Sequence, residues 1–267
     1  MEVRDVVLGH YGRADLEDIV LRALAEAGVD PARMSAADLG GLDQLHAGGR
    51  AATEVLLARL QLGPQTRLLD VGSGIGGPAR AAAAAYGCAV VGVDLSPDFV
   101  RTADALTARV GLSRLVQYRV VAAESLGFED ASFDRAMLVH VGMNLPDKPA
   151  VFREVRRVLR PGGLFGLFEQ VRTGYGPLTY PLPWAEDAST SFLADRAGYV
   201  EDLQAAGFAV QQVEDRAAAT ADRGGAGDRR LSPGAVFGPS FSERVRNNLA
   251  ATRAGLLAPV LMVARAA

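Results

Sequence analysis

Leu68-Leu69-Asp70-Val71-Gly72-Ser73-Gly74-Ile75-Gly76-Gly77-Pro78 is the stretch that decides the fold. Its apolar lead-in, Leu68, Leu69 and Val71, reads as a buried strand. The glycines let the backbone turn sharply and approach a partner closely, because no Cβ intervenes. Pro78 suits the first turn of a helix, where its missing N–H is not needed. The alanine-rich run from Ala79 to Tyr86 favours that helix. A second apolar strand, Ala89 to Val93, then ends in Asp94. Together these make a β-α-β unit of the nucleotide-binding kind.

Gly72, Gly74 and Gly77 fit the dinucleotide pattern G-x-G-x-x-G, and Asp94 is placed to hold a ribose. The same glycines fit the nucleoside-binding loop of S-adenosylmethionine (SAM) methyltransferases. Asp70 favours the second reading. A carboxylate two residues before the first glycine repels a pyrophosphate lying over the loop. It attracts the ammonium of a methionyl group, directly or through water.

Composition narrows the function classes. The chain has 267 residues, 49% hydrophobic and 22% charged, ordinary for a globular protein. The net charge of −3 and dispersed arginines speak against nucleic acid as a partner. Lys148 is the sole lysine and Cys88 the sole cysteine, so no internal disulfide forms. The start carries Glu2, Arg4 and Asp5 and lacks a secretory pattern. No uninterrupted apolar run is long enough to span a membrane. These features predict a cytoplasmic enzyme.

Leu16, Ile19, Val20, Leu21 and Leu24 recur at helical spacing, and Gly28 with Pro31 ends that helix. Val55, Leu56, Leu57 and Leu60 mark a second apolar face over residues 50–62. From Arg67 onward strands and helices alternate. Strands are predicted near 67–71, 89–93, 116–121, 134–139, 163–169, 208–213 and 259–265. Helices fall near 78–86, 97–110, 147–158 and 198–206, with another over 240–255. This alternation predicts an α/β sheet covered on both faces. Residues 1–62 are read as an N-terminal helical cap and 63–267 as a Rossmann-like domain. Segments near 172–200 and 214–239 are read as pocket-building insertions, the second a long polar loop that is mobile or a lid.

The ordered set Leu68–Pro78, Val90–Ser96, Asp130–His140, Leu159–Gly163 and the terminal strand resembles the class I SAM-dependent methyltransferases. The wording Asp70-Val-Gly-Ser-Gly-Ile-Gly-Gly-Pro-Ala-Arg80 resembles their small-molecule branch, with the sterol, quinone and sarcosine-type enzymes. The resemblance covers about residues 45–210 and the last strand. It implies a seven-stranded, mostly parallel sheet with an antiparallel last strand. It implies SAM as cofactor, S-adenosylhomocysteine as product, and a site over the carboxyl ends of the first strands. Gly72, Gly74 and Gly76 would then line the methionyl and ribose portion, with Asp70 near the ammonium. Asp94 would bond the ribose, and Leu95 and Ala123 would flank adenine. Relatives often carry Asp at the position of Ala122, where this chain departs. His140 and Met143 follow the fourth strand, where donor and acceptor meet. Leu159–Gly163 is read as a helix-to-strand turn.

Methyl transfer from a sulfonium is an in-line displacement that needs alignment and often a base. His140 and His46 are the candidate bases. His10 is read as a surface residue. Glu169, at the end of an apolar strand, is a third candidate, to orient an amine, stabilise a cation or take a proton. Tyr175, Tyr180, Trp184, Phe192 and Tyr199 crowd one proline-broken segment. They predict an aromatic-lined pocket for an apolar, aromatic or cationic small molecule. Tyr11, Met143, Tyr180 and Trp184 are the substrate candidates. The scattered histidines and single cysteine offer no metal-ligand spacing. A nicotinamide-dependent oxidoreductase shares the glycine turn but lacks a Tyr-x-x-x-Lys pair. A non-catalytic protein of the same fold is the other rival. The acceptor atom (O, N or C) and homo-oligomerisation stay open at this level.

Overall fold

The computed structural model describes residues 15–221, 233–238 and 241–267. His10 and Tyr11 lie outside the described residues. Two helices come first, α1 (Leu16–Glu26) and α2 (Gly49–Arg59). The region predicted to alternate then supplies β1 (Arg67–Val71), α3 (Gly77–Tyr86), β2 (Ala89–Asp94), α4 (Pro97–Arg109) and β3 (Val116–Val120). It continues with β4 (Phe133–Val139), α5 (Lys148–Val158), β5 (Leu159–Arg172), α6 (Arg196–Ala205) and β6 (Phe208–Asp215). Helices α7 (Ala217–Ala221), α8 (Pro233–Phe237) and α9 (Phe241–Arg253) precede β7 (Leu257–Ala266).

The strands form one sheet in the order β3-β2-β1-β4-β5-β7-β6. β7 runs antiparallel to both β5 and β6, and the pairs from β3 through β5 are parallel. Parallel strands need crossovers and cover on both faces, so the central strands are mainly apolar, with Asp70 and Glu169 as buried exceptions. One face buries Leu69, Val71, Phe152, Phe165 and Met262 against α5 and α6. The other buries Leu56, Leu60, Leu68, Ala79 and Val263 against α2 and α3. The α1 segment packs Leu16, Val20 and Leu24 with Leu39 and Leu42 onto Ile75, Phe99 and Leu106. The starts of α4, α5 and α6 are capped by side chains. Ser96 accepts from the Phe99 N–H at 3.3 Å, Asp147 from Ala150 at 2.9 Å and Asp195 from Gly198 at 2.8 Å.

Two expectations change. Leu159–Gly163 is a distorted start of β5, not a separate turn. Leu159 already pairs with Phe133, and an irregularity in register, with Gly162 at φ +77°, absorbs the extra residues before Leu164 meets Arg135. Residues 214–239 are not one loop. β6 reaches Asp215, and α7 and α8 occupy 217–221 and 233–237. Residues 222–232 and 239–240 lie outside the described set. Among the described residues no helix is long and apolar enough to cross a membrane.

Candidate active site

The carboxyl ends of β1, β2 and β4 open into one cleft, lined among others by Gly72, Gly74, Asp94, Leu95, Ala123 and His140. An open parallel sheet leaves its crevice at this edge, where neighbouring crossovers go to opposite faces. The glycine turn lies across β2, because the Gly72 and Ser73 N–H groups both donate to the Val93 carbonyl. Gly74, at φ +54°, faces open space apart from Leu45. Gly72, at φ +72°, touches the far wall. A Cβ there would lie 2.3 Å from Val141 Cγ2. Gly76 points away from the cleft, where a Cβ would meet the Tyr118 hydroxyl at 2.1 Å. Gly76 is absent from the cleft lining, and its lack of a Cβ lets the turn pack against Tyr118.

Asp94 closes β2 and receives the Gly74 N–H at 2.8 Å and the Ser96 N–H at 2.9 Å. Burial raises its pKa, while those N–H donors pull it back. Asp70 sits beneath the turn, 1% exposed, and one of its oxygens has no hydrogen-bond partner. Burial and then the charge of Asp94 push its carboxyl up to about 8. An unpaired buried carboxylate is costly, and a cation nearby would relieve it. The Asp70 oxygen that no donor reaches, just behind the cleft lining, the open face of Gly74 and the Asp94 carboxylate are the groups that could take the ammonium, backbone and ribose of SAM.

Beneath the turn a buried ion pair fixes the helical segment to the glycine loop. Arg80 Nη2 lies 2.9 Å from Asp43 and donates to the Ile75 carbonyl at 2.8 Å. Neither expectation nor motif pointed to Asp43. Gln44 and His46 follow it directly. His46 sits between the Ala47 carbonyl (3.1 Å), Gln44 Oε1 (3.1 Å) and the Thr53 hydroxyl (3.0 Å). Burial pulls its pKa down to about 4. Its ring centroid is 5.7 Å from that of His140, and both pack on Phe168. His46 is not among the residues lining the cleft; it backs His140, which is.

His140 adopts φ +54°, held by donation of its N–H to the Phe168 carbonyl at 2.8 Å. Its Nε2 is buried without a partner, and burial, then His46, hold its pKa well below the ordinary range. The ring is therefore neutral near pH 7. Glu169 occupies a different place from the one expected. It is 0% exposed and lies behind the loop, outside the cleft lining. Its oxygens accept the Val141 and Gly142 N–H groups, each at 2.9 Å, and the Tyr199 hydroxyl at 3.3 Å. Burial pushes it up to about 8. Gly142 is required here, since a Cβ would lie 2.1 Å from that hydroxyl.

The predicted aromatic pocket is assembled differently. Of the five crowded aromatics only Trp184 lines the cleft, beside Pro183. Tyr175 is fully exposed, Tyr180 packs in a cluster with Met143 and Trp184, and Tyr199 is buried beside Glu169. Phe99, Phe237 and Phe241 supply the remaining rings, the last two stacked at 4.8 Å between centroids. Phe237 and Phe241 fall in and after the segment expected to be a polar loop; their spacing of four carried the signal that was missed.

Residues 69–167 match a family model described as a methyltransferase domain. The chain is 42% identical over 114 residues to 24-methylenesterol C-methyltransferase 2 of Oryza sativa subsp. japonica, covering 43% of this chain and 31% of that protein. It is 31% identical over 216 residues to 2-methyl-6-phytyl-1,4-hydroquinone methyltransferase of Synechocystis, covering 77% and 59%. The chain thus spans less than two thirds of either relative. Geranyl diphosphate C-methyltransferase from Streptomyces coelicolor A3(2) superposes with a TM-score of 0.73 at 18% identity, over 100% of this chain and 99% of that one. That likeness shows the fold. Strand order, glycine turn and sequence match agree: residues 69–167 form a domain similar to the methyltransferase domains of these proteins.

Proposed function

We propose that this protein moves the methyl group of SAM to O, N or C of a small, largely apolar organic molecule, in secondary metabolism. The observation that carries the reading is the pairing of Asp94 with the Gly74 N–H at the floor of the same cleft whose wall presents His140. Bound SAM supplies an electrophilic methyl on a sulfonium. Asp94 would hold the ribose hydroxyls, Leu95 and Ala123 would flank adenine, and Asp70 would pair with the ammonium. An apolar cleft excludes water that would compete as nucleophile.

In the displacement one bond forms from the acceptor atom to the methyl carbon as the S–CH3 bond breaks. The acceptor's proton becomes very acidic as that bond forms. A weak, neutral base then suffices, and burial keeps His140 in that state. His46, hydrogen-bonded on both ring nitrogens, orients His140 and does not take the proton.

Methyl-labelled SAM offered with phenols, indoles, amines and isoprenoid alcohols, followed by mass spectrometry, tests this reading. Label is expected in one class. His140→Ala is expected to lower kcat by about 100-fold, the range of a lost general base, with SAM affinity unchanged. Turnover equal to the wild type would remove His140 as the base.

A further inference from the structure

Two stretches of chain that meet at the cleft wall lie outside the sheet. The loop after β4 brings His140, Met143 and Leu145, and the segment between β5 and α6 brings Trp184. The regular structure of that segment is one short 3-10 turn, Ala188–Thr190, so strand pairing does not set its distance from the loop.

Phe192 ties the two together. Its N–H donates to the Met143 carbonyl at 2.8 Å. Its own carbonyl accepts from the ammonium of Lys148, which also donates to the Leu145 carbonyl at 3.1 Å. One ammonium thus holds a carbonyl from each stretch. Ser191, next to Phe192 in the chain, accepts the Trp184 indole N–H at 2.9 Å and carries the tie to the ring in the wall.

Lys148 is the sole lysine among 28 basic residues, and it is buried at 6% exposure. It occupies the first position of α5, where a cation faces the positive end of the helix dipole. The helix gains nothing from a charge there, and Asp147 already caps it. The two carbonyls and the Tyr199 ring, whose centroid is 5.9 Å from Nζ, receive the ammonium. A compact ammonium reaches two carbonyls and faces a ring from one point, whereas a guanidinium is a wide planar fork. Lys148 is absent from the cleft lining, so it acts through what it holds.

We propose that Lys148 is a positioning residue of the acceptor site, setting the spacing between the loop that carries His140 and Met143 and the segment that carries Trp184. The inference rests on the methyl-transfer reading and adds to it a residue that touches neither donor nor acceptor.

Trp184 is the only tryptophan of the chain and is 5% exposed, so acrylamide quenching of its fluorescence reads the clamp without any ligand. Lys148→Met keeps an unbranched stem and removes every donor. Quenching is expected to rise by about threefold as the segment loosens locally. Val158→Ala, a cavity at the far end of the same helix, controls for general loosening and should leave quenching unchanged. The acceptor is the phenol, indole, amine or isoprenoid alcohol that takes label from SAM. Its KM should rise about tenfold in Lys148→Met, the yield of a lost charged hydrogen bond. The fall in kcat should stay under about threefold, because the His140 N–H keeps its own bond to the Phe168 carbonyl. SAM affinity by calorimetry should stay within a factor of about two. Lys148→Arg, which keeps the charge without the compact geometry, should restore part of the KM. The wild-type protein gives a second reading that needs no variant to fold. Labelled with 15N-lysine it carries a single side-chain ammonium, and a clamped one exchanges slowly enough to be seen at about pH 6. Equal quenching in wild type and Lys148→Met, or an ammonium signal lost to fast exchange, overturns the clamp. Raised quenching with an unchanged acceptor KM overturns its role in positioning. If no compound takes label with the wild type, the methyl-transfer reading fails, while quenching and the ammonium signal still decide the clamp.

Discussion

At the donor end of the cleft, Gly72, Gly74, Asp94 and Leu95 all fall within residues 72–95, on two adjacent parallel strands and the turn between them. At the acceptor end, Met143, Trp184, Phe237 and Phe241 arrive from widely separated segments of the chain. The first is held by backbone hydrogen bonds that strand pairing dictates. The second is held by side-chain packing that only the finished fold brings together. The donor end should therefore fail abruptly when one group is lost, and the acceptor end should degrade by degrees.

The largest expected effect tests the first half of that contrast. Asp94→Ala removes the carboxylate proposed to hold the ribose and leaves the Gly74 and Ser96 N–H groups without their partner. SAM affinity is expected to fall by at least ~100-fold, from lost bonds to a charged acceptor. Isothermal calorimetry measures it. An affinity within a factor of a few of the wild type would mean that the donor does not lie at this carboxylate.

Glu169 joins the two ends, because the loop it holds carries His140 and Met143 on one side and presses Val141 onto Gly72 on the other. Glu169→Ala strands two N–H groups and the Tyr199 hydroxyl in the interior. The cost to stability is expected to be about 3 kcal/mol. Urea melts read it. Tyr199→Phe, which removes the one longer bond, should cost about 1 kcal/mol. Equal losses in the two variants would mean that the carboxylate contributes little to holding the loop.

Titration separates the ends in another way. Asp70 is pushed up to about 8, above its ordinary unfolded value of ~3.9. Between those values the folded chain holds a proton that the unfolded chain has lost. Stability without ligand therefore falls as pH rises from about 4 toward 8. An ammonium beside Asp70 favours its carboxylate, so SAM affinity should rise by about tenfold over roughly the pH unit below 8 and level off above it, the yield of a fall of about one unit in the Asp70 pKa on binding. Glu169 shifts stability in the same direction but does not touch the donor. Asp70→Asn should flatten the affinity profile and leave part of the stability profile. An unchanged affinity profile in that variant would take Asp70 away from the ammonium.

The same contrast governs how much was legible in the sequence. The strand–glycine–helix–strand unit is contiguous, and its periods and turn residues specify it locally, so strands, cleft and the roles proposed for Gly74 and Asp94 could be read from residues 68–96. Gly76 looked equivalent to Gly74 because a motif counts glycines and does not say which way a Cβ would point. Glu169 looked like a site acid because a strand-end carboxylate at the right edge is common to both roles. What settled its place was the pair of N–H groups of Val141 and Gly142, which come from another strand's loop. The crowding of aromatics at 175–199 was real, but prolines and glycines turn Tyr175 out to solvent, and the fold turns Tyr199 inward behind the loop. Asp43 left no local signature, since it matters only through Arg80, far along the chain, whereas Phe241 left only its spacing of four from Phe237.

The smallest expected effect belongs to the acceptor wall and is the most discriminating. Phe241→Ala removes one ring of a stacked pair from a surface that other residues also build. Burial of part of a phenyl ring supports a rise in acceptor KM of only about fivefold. SAM affinity should not move, because Asp94, Asp70 and the glycine turn keep their partners. Tyr175→Ala, at a fully exposed position of the segment richest in aromatics, should change neither constant. If Tyr175 raised KM and Phe241 did not, the acceptor would enter from the 175–199 segment, and the wall drawn here from α8 and α9 would be the wrong one. The pair of variants thus decides which aromatics the substrate meets without disturbing the end of the cleft where the methyl donor is held.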